Sequence, residues 1–191
     1  MKTYRLSPSG RRSAIVLMIG ALLIWMFALW TLRITLATSS DPSAGLFQAF
    51  QENLDRGLSA GQVIPALLMV VLLIATPLVL WGILEEWGAQ YTPTDAGLRF
   101  TSLGIALNCP WDRITGIRRL EENADEPLDA IMVSDDLSSQ IKNPLVRWLH
   151  RQACGDRRLL IYPGLEDRDD LLQEIRARTG LTDVQSALSQ A

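Results

Sequence analysis

The chain has 191 residues, 48% hydrophobic and 20% charged, with a formal net charge of −3. That length suits one domain with attachments better than two large domains. From residue 87 onward 12 basic residues stand against 16 acidic ones, a balance of −4 that argues against nucleic-acid binding.

Residues 1–13 read as a basic tail carrying Lys2, Arg5, Arg11 and Arg12. Residues 14–32 follow without a charge, and a first transmembrane helix is expected over 14–36. A bilayer core of about 30 Å needs roughly 20 mainly apolar residues, and a soluble core helix would show a polar stripe. The run exceeds the roughly 7–15 apolar residues of a signal peptide, so an uncleaved span is expected despite the small residues of "TLATSS".

Residues 37–62 form the connector, in which Leu46, Phe47, Phe50 and Leu54 recur at the spacing of a short amphipathic helix. Residues 63–84 are again free of charge, and a second transmembrane helix is expected over 63–86. Pro65 is tolerated in a first turn, whereas Pro77 predicts a kink. Trp25, Trp30, Trp81 and Trp87 read as interfacial anchors. The segment from 33 to 62 holds only Arg33 and Arg56 beside three acids, so the positive charge before the first span places both termini in the cytoplasm of a multi-pass cell-membrane protein. Neither run contains an ionisable residue, which argues against transport by a single chain.

Residues 87–180 change character. "AQYTPTDAGLRFT" reads as strand, turn, strand, with Asp95 and Gly97 supplying turn chemistry and positive φ. "SLG" is a further turn, and "IALNCPW", "TGIRRL", "LDAIMV" and "RRLLIYP" are further short strands. In "LEDRDDLLQEIRARTG", Leu171, Leu172 and Ile175 form an apolar stripe, acids fill the first turn, and Gly180 suits the C-terminal cap. The expected class is therefore a membrane-anchored α+β protein, with an antiparallel sheet or small barrel closed by a C-terminal helix. Residues 181–191 read as a tail.

Two spans followed by "YTPTDAGLRF", "CPWDRI" and "LLIYPGLEDRDDLLQEI" resemble the bacterial pleckstrin-homology-like (PH-like) membrane proteins. The matching positions are Tyr91, Thr94, Gly97, Leu98, Trp111, Ile114, Pro163 and Leu172, within residues 85–180. The resemblance implies a strongly bent seven-stranded sheet capped by the last helix, and a membrane-attached binding scaffold. It makes Tyr91, Gly97, Leu98, Trp111, Ile114 and Leu172 the fold-signature core. Lipid-binding relatives of that fold cluster several cations around the first hairpin, whereas residues 89–101 hold Arg99 alone. Specific phosphoinositide binding is not expected.

Charge is concentrated elsewhere. Residues 121–136 hold seven acids and no base, but lack the pattern of a calcium loop and read as solvated. "KNPLVRWLHRQACG" has Asn143 as N-cap, Pro144 at the first helical position and Gly155 at the end. Leu145, Trp148 and Leu149 are expected on one face, with Arg147 and Arg151 on another. Lys142, Arg147, Trp148 and Arg151 are thus candidate contacts with an anionic lipid surface. The bland alternative is that Trp148 closes one side of the sheet.

Catalysis has little support. His150 is the single histidine, Cys109 and Cys154 lack zinc-ligand spacing, and no phosphate-cradling loop occurs, so no catalytic residue, metal ligand or cofactor is expected. Asp112, Asp135 and Asp136 could converge only through folding. "CPWDRITGIRRL", from 109 to 120, looks like chemistry but reads as architecture: Pro110 at an edge or bend, Trp111 and Ile114 toward the core, and a tight turn or bulge at Asp112–Arg113. Three roles remain open: an interaction scaffold for a protein partner, a sensor of the anionic lipid surface using residues 143–153, or an accessory subunit of a larger membrane complex.

Overall fold

The computed structural model describes residues 2–36, 60–120 and 128–181. The amphipathic helix expected in the connector, the acidic run at 121–127 and the tail beyond 181 lie outside the described residues. The chain divides into two compact units, one of residues 16–80 and one of residues up to 15 and from 81 onward.

The first unit is built from two helices of 29 residues, α1 (Pro8–Leu36) and α2 (Ala60–Gly88). Pro8–Ile34 and Ile64–Gly88 are long and apolar enough to cross a membrane, and only 11% of each apolar window is buried. A helix at the core of a soluble protein would bury most of that surface. Ala28, Leu32 and Met69 are the buried contacts here, with Ala66, Leu72 and Leu73 packed around them. α2 continues through Pro65 and Pro77. Pro77 has no N–H for the carbonyl one turn earlier, that of Leu73, and the Trp25 indole donates to this oxygen at 3.3 Å. Trp25 therefore satisfies the backbone that Pro77 frees, a role different from interfacial anchoring.

Both helices outrun the uncharged segments. α1 starts at Pro8 because Ser7 Oγ accepts the Gly10 N–H at 3.1 Å and proline suits the first turn. Arg11 and Arg12 consequently lie on the helix. α2 runs on to Gly88 and carries Glu85 and Glu86.

The second unit holds seven strands among the described residues: β1 (Tyr4–Arg5), β2 (Gln90–Pro93), β3 (Gly97–Ser102), β4 (Ile105–Pro110), β5 (Ile114–Arg119), β6 (Asp129–Val133) and β7 (Arg158–Ile161). They form two antiparallel sheets, β1-β2-β3-β4 and β5-β6-β7, where one bent sheet was expected. Two further helices belong to this unit, α3 (Pro144–Cys154) between β6 and β7 and the closing α4 (Arg168–Thr179) after β7.

The largest departure from the sequence reading is at the N-terminus. The supposed tail supplies β1, with Tyr4 opposite Tyr91 and Arg5 opposite Gln90. Its other side is tied to the segment before α4, as Ser7 N donates to Gly164 O at 2.9 Å and Glu166 N to Arg5 O at 2.8 Å. Tyr4 and Leu6 are buried, and Lys2 pairs with Asp167 and Asp170 at 2.9 and 3.0 Å.

The signature residues have specific tasks. Tyr91 is fully buried and donates its hydroxyl to Leu160 O at 2.5 Å, joining β2 to β7 across the core. Gly97 is required for close approach, since a Cβ would stand 2.2 Å from Cys109 O. Positive φ, expected there, occurs instead at Leu103 and Gly104 in the next turn. Leu98, Ile114 and Leu172 are buried in the core beside Phe100, Leu171 and Ile175. Trp111 opens a 3-10 turn (Trp111–Arg113), packs against that core, donates its indole to Thr94 O at 2.9 Å, and lies under the Arg178 guanidinium of α4. Buried Asp129 pairs with Arg119 at 3.2 Å and with Arg168, fastening α4 to the second sheet.

Candidate functional site

α3 begins as expected. Asn143 Oδ1 accepts the Leu145 and Val146 N–H groups at 2.9 and 3.3 Å, Pro144 leads the first turn, and Gly155 ends the helix at φ 85°. Its faces differ from the expectation. The inner face is Val146, His150, Ala153 and Cys154, packed on the domain, whereas Leu145 and Trp148 are 63% and 49% exposed. Trp148 therefore does not close the sheet.

The candidate lipid contacts are only partly free. Arg147 donates to Ile141 O from Nε and Nη2 at 2.9 and 2.6 Å, and Arg151 Nε lies 2.5 Å from Asp156 Oδ1. Arg147, Trp148 and Arg151 line one open depression with Pro144, Gln152 and Asp156. Lys142 is exposed beside this helix and is not among the lining residues.

Beneath the helix is a cluster that the sequence reading missed. Glu85, on the last turn of α2, is fully buried, as are His150 and Cys154 of α3. His150 Nδ1 lies 2.6 Å from Glu85 Oε1, and Cys154 Sγ donates to the same oxygen at 3.3 Å. The Trp81 indole donates to Glu85 Oε2 at 3.0 Å, and Ser102 Oγ to Glu85 O at 2.6 Å, so both ends of the acid are held. Tyr162 OH stands 4.0 Å from Cys154 Sγ. One imidazole nitrogen, one sulfur and one carboxylate oxygen thus lie within 4.8 Å of one another. A protein-family scan and searches of curated proteins and of solved structures return no match to the chain.

The electrostatics of the cluster oppose nucleophilic chemistry. Burial, reinforced by the Glu85 charge, pushes the Cys154 thiol well above its ordinary range, and burial pushes Tyr162 and Tyr91 up as well. Cys109 is pushed up to about 11, again chiefly by burial. Nucleophilic cysteines need the reverse, a lowered thiol in a partly exposed electropositive setting. Asp112, Asp135 and Asp136 form no constellation: the first two contact Arg113 at 3.7 and 3.0 Å, and Asp136 caps the turn at Ser138.

A local signal for the cluster was present. His150 and Cys154 are four apart, the spacing that puts two side chains on one helix face. The third member, 65 residues before the histidine, had no such signal.

Proposed function

We propose that the chain is a two-span integral membrane protein whose second unit is a cytoplasmic PH-like domain serving as a non-catalytic binding scaffold for a protein partner. The observation that carries this reading is the pairing of Tyr4 with Tyr91. β1 precedes α1 and β2 follows α2, yet they share one sheet, so both helix ends belong to the same folded body. A pair of spans meets that constraint, whereas a single crossing would separate the strands. The positive charge at Lys2, Arg5, Arg11 and Arg12 favours the cytoplasmic side. The sheets of four and three strands, the closing helix and the placement of Tyr91, Gly97, Leu98, Trp111, Ile114 and Leu172 support the PH-like reading.

Impermeant maleimide labelling tests the topology. Ser43→Cys in the connector should label on intact cells, and Asp95→Cys only after lysis; the reverse pattern overturns the assignment. In-membrane cross-linking tests the scaffold role, and recovery of no specific partner counts against it.

Exposed Leu145 and Trp148 beside basic residues favour one further role, contact of α3 with an anionic leaflet. Each cation near such a surface contributes about 1 kcal/mol. Hydrogen exchange on the full chain in nanodiscs should show α3 protected by anionic lipid but not by zwitterionic lipid. Arg147→Glu with Arg151→Glu should abolish that difference, and equal exchange in both lipids rejects this role.

A further inference from the structure

We infer that Glu85, His150 and Cys154 form a structural site for one divalent transition-metal ion, with zinc the best match to the donors. Three chemically different ligands converge in a place where none has access to solvent: Nδ1 and Oε1 are 2.6 Å apart, Sγ and Oε1 3.3 Å, and one ligand atom from each residue lies within 4.8 Å of the others. Zinc is bound tetrahedrally with bonds of about 2.0–2.3 Å, which sets its donors roughly 3.3–3.6 Å apart. The carboxylate and imidazole need to part by less than about 1 Å to meet that geometry. Sγ already stands near that distance from Oε1, and an imidazole nitrogen within 4.8 Å of the sulfur needs to close by up to about 1 Å. Mixed nitrogen, sulfur and oxygen donors suit zinc better than magnesium or calcium, which take oxygen.

The surroundings are those of a metal site. His150 and Cys154 are adjacent on one helix face, so their separation is set by α3 itself. Glu85 is oriented from outside the donor set by the Trp81 indole on Oε2, as outer partners orient metal-binding carboxylates. The Tyr162 hydroxyl stands beside the donor set, 4.0 Å from Sγ.

Zinc entry breaks the S–H bond and releases that proton to solvent, while the imidazole proton moves from Nδ1 to Nε2. The product holds Zn²⁺, thiolate, carboxylate and neutral imidazole, with no net charge. The complete burial of the donors points to a structural clamp between the end of α2 and α3.

Elemental analysis and cobalt titration of the full chain in detergent test the assignment. We expect one zinc per chain after purification in zinc, and a thiolate-to-cobalt charge-transfer band at one equivalent of Co²⁺. The band should survive Cys109→Ser and vanish in Cys154→Ser. His150→Gln should weaken zinc binding by more than the ~10–100-fold that loss of an outer partner costs, and Trp81→Phe by about that factor. The Trp81 and His150 variants retain the thiol and keep the test decisive where Cys154→Ser fails to fold. Sub-stoichiometric zinc with no cobalt band, a band that persists without Cys154, or unchanged zinc affinity in His150→Gln each overturns the site. In those cases the cluster holds protons alone.

Discussion

In residues 16–80, Leu17, Ile19, Leu23, Met26, Leu67, Leu68 and Ile74 stand exposed, whereas in the second unit Leu98, Leu107, Ile131, Leu159 and Leu171 are almost fully buried. The polar groups follow the same division. The helix pair satisfies its polar groups within itself, as when Trp25 covers the carbonyl that Pro77 frees and Thr76 Oγ1 donates to Leu72 O at 2.7 Å. The domain buries ionisable groups and pairs them, as at Asp129 with Arg119 and Arg168, and at Glu85 with His150. Apolar surface left outside needs an apolar surrounding, and apolar surface turned inside makes its own. The two units therefore place the hydrophobic effect on opposite sides of the chain.

That contrast can be broken at points where one unit depends on few residues. Removal of residues 2–7 should have the largest effect, because the domain loses an outer strand and exposes Tyr91. A fragment starting at residue 81 should melt without the cooperative transition of the full chain, and appending residues 2–7 should restore it. Within the full chain, Tyr4→Ala should cost about 3 kcal/mol or more, while Tyr4→Phe, which loses only the bond to Glu174, should cost under about 1 kcal/mol. Thermal unfolding in detergent, followed by circular dichroism, measures both; equal effects would mean that the ring contributes nothing to the core.

Next in size is Asp129→Ala, which should cost about 3 kcal/mol because it removes the buried carboxylate that both Arg119 and Arg168 contact. The same melting experiment reads it, and a change under about 0.5 kcal/mol would contradict a fastening role. In the helix pair, Trp25→Phe should cost about 1 kcal/mol by leaving Leu73 O unsatisfied. Restoring an N–H with Pro77→Ala in the same chain should remove that penalty, and a double-mutant cycle checks the coupling.

The smallest effect concerns reactivity. Raised thiols are protonated below their shifted values, so the thiolate fraction at Cys109, pushed up to about 11, stays minor at pH 8. Thiol-reactive probes should label Cys109 and Cys154 in the folded chain far more slowly than in urea. Labelling at the unfolded rate would mean that both are open to solvent.

Much of the domain was legible because local patterns act over short distances. The apolar runs at 14–32 and 63–84 announce their helices, and the alternation in "GLRFTS" and "IALNCP" is preserved as burial in β3 and β4. The cap at Asn143 and the stop at Gly155 fix α3 to within a residue. Which face α3 buries was not legible, since Leu145 and Trp148 are more apolar than His150. Burial favoured His150 because Glu85 was there to receive it.

The sequence alone determined the two long apolar helices, the short strands and the closing helix, since periodicity, caps and turn residues act within a few positions of each other. Only the tertiary structure decided that residues 4–5 are a strand of a sheet resumed after both helices, and that Glu85 meets His150 and Cys154. Those pairings join residues 65–87 positions apart. No local pattern encodes them, because they become favourable only once the intervening chain has folded and closed the loop between them.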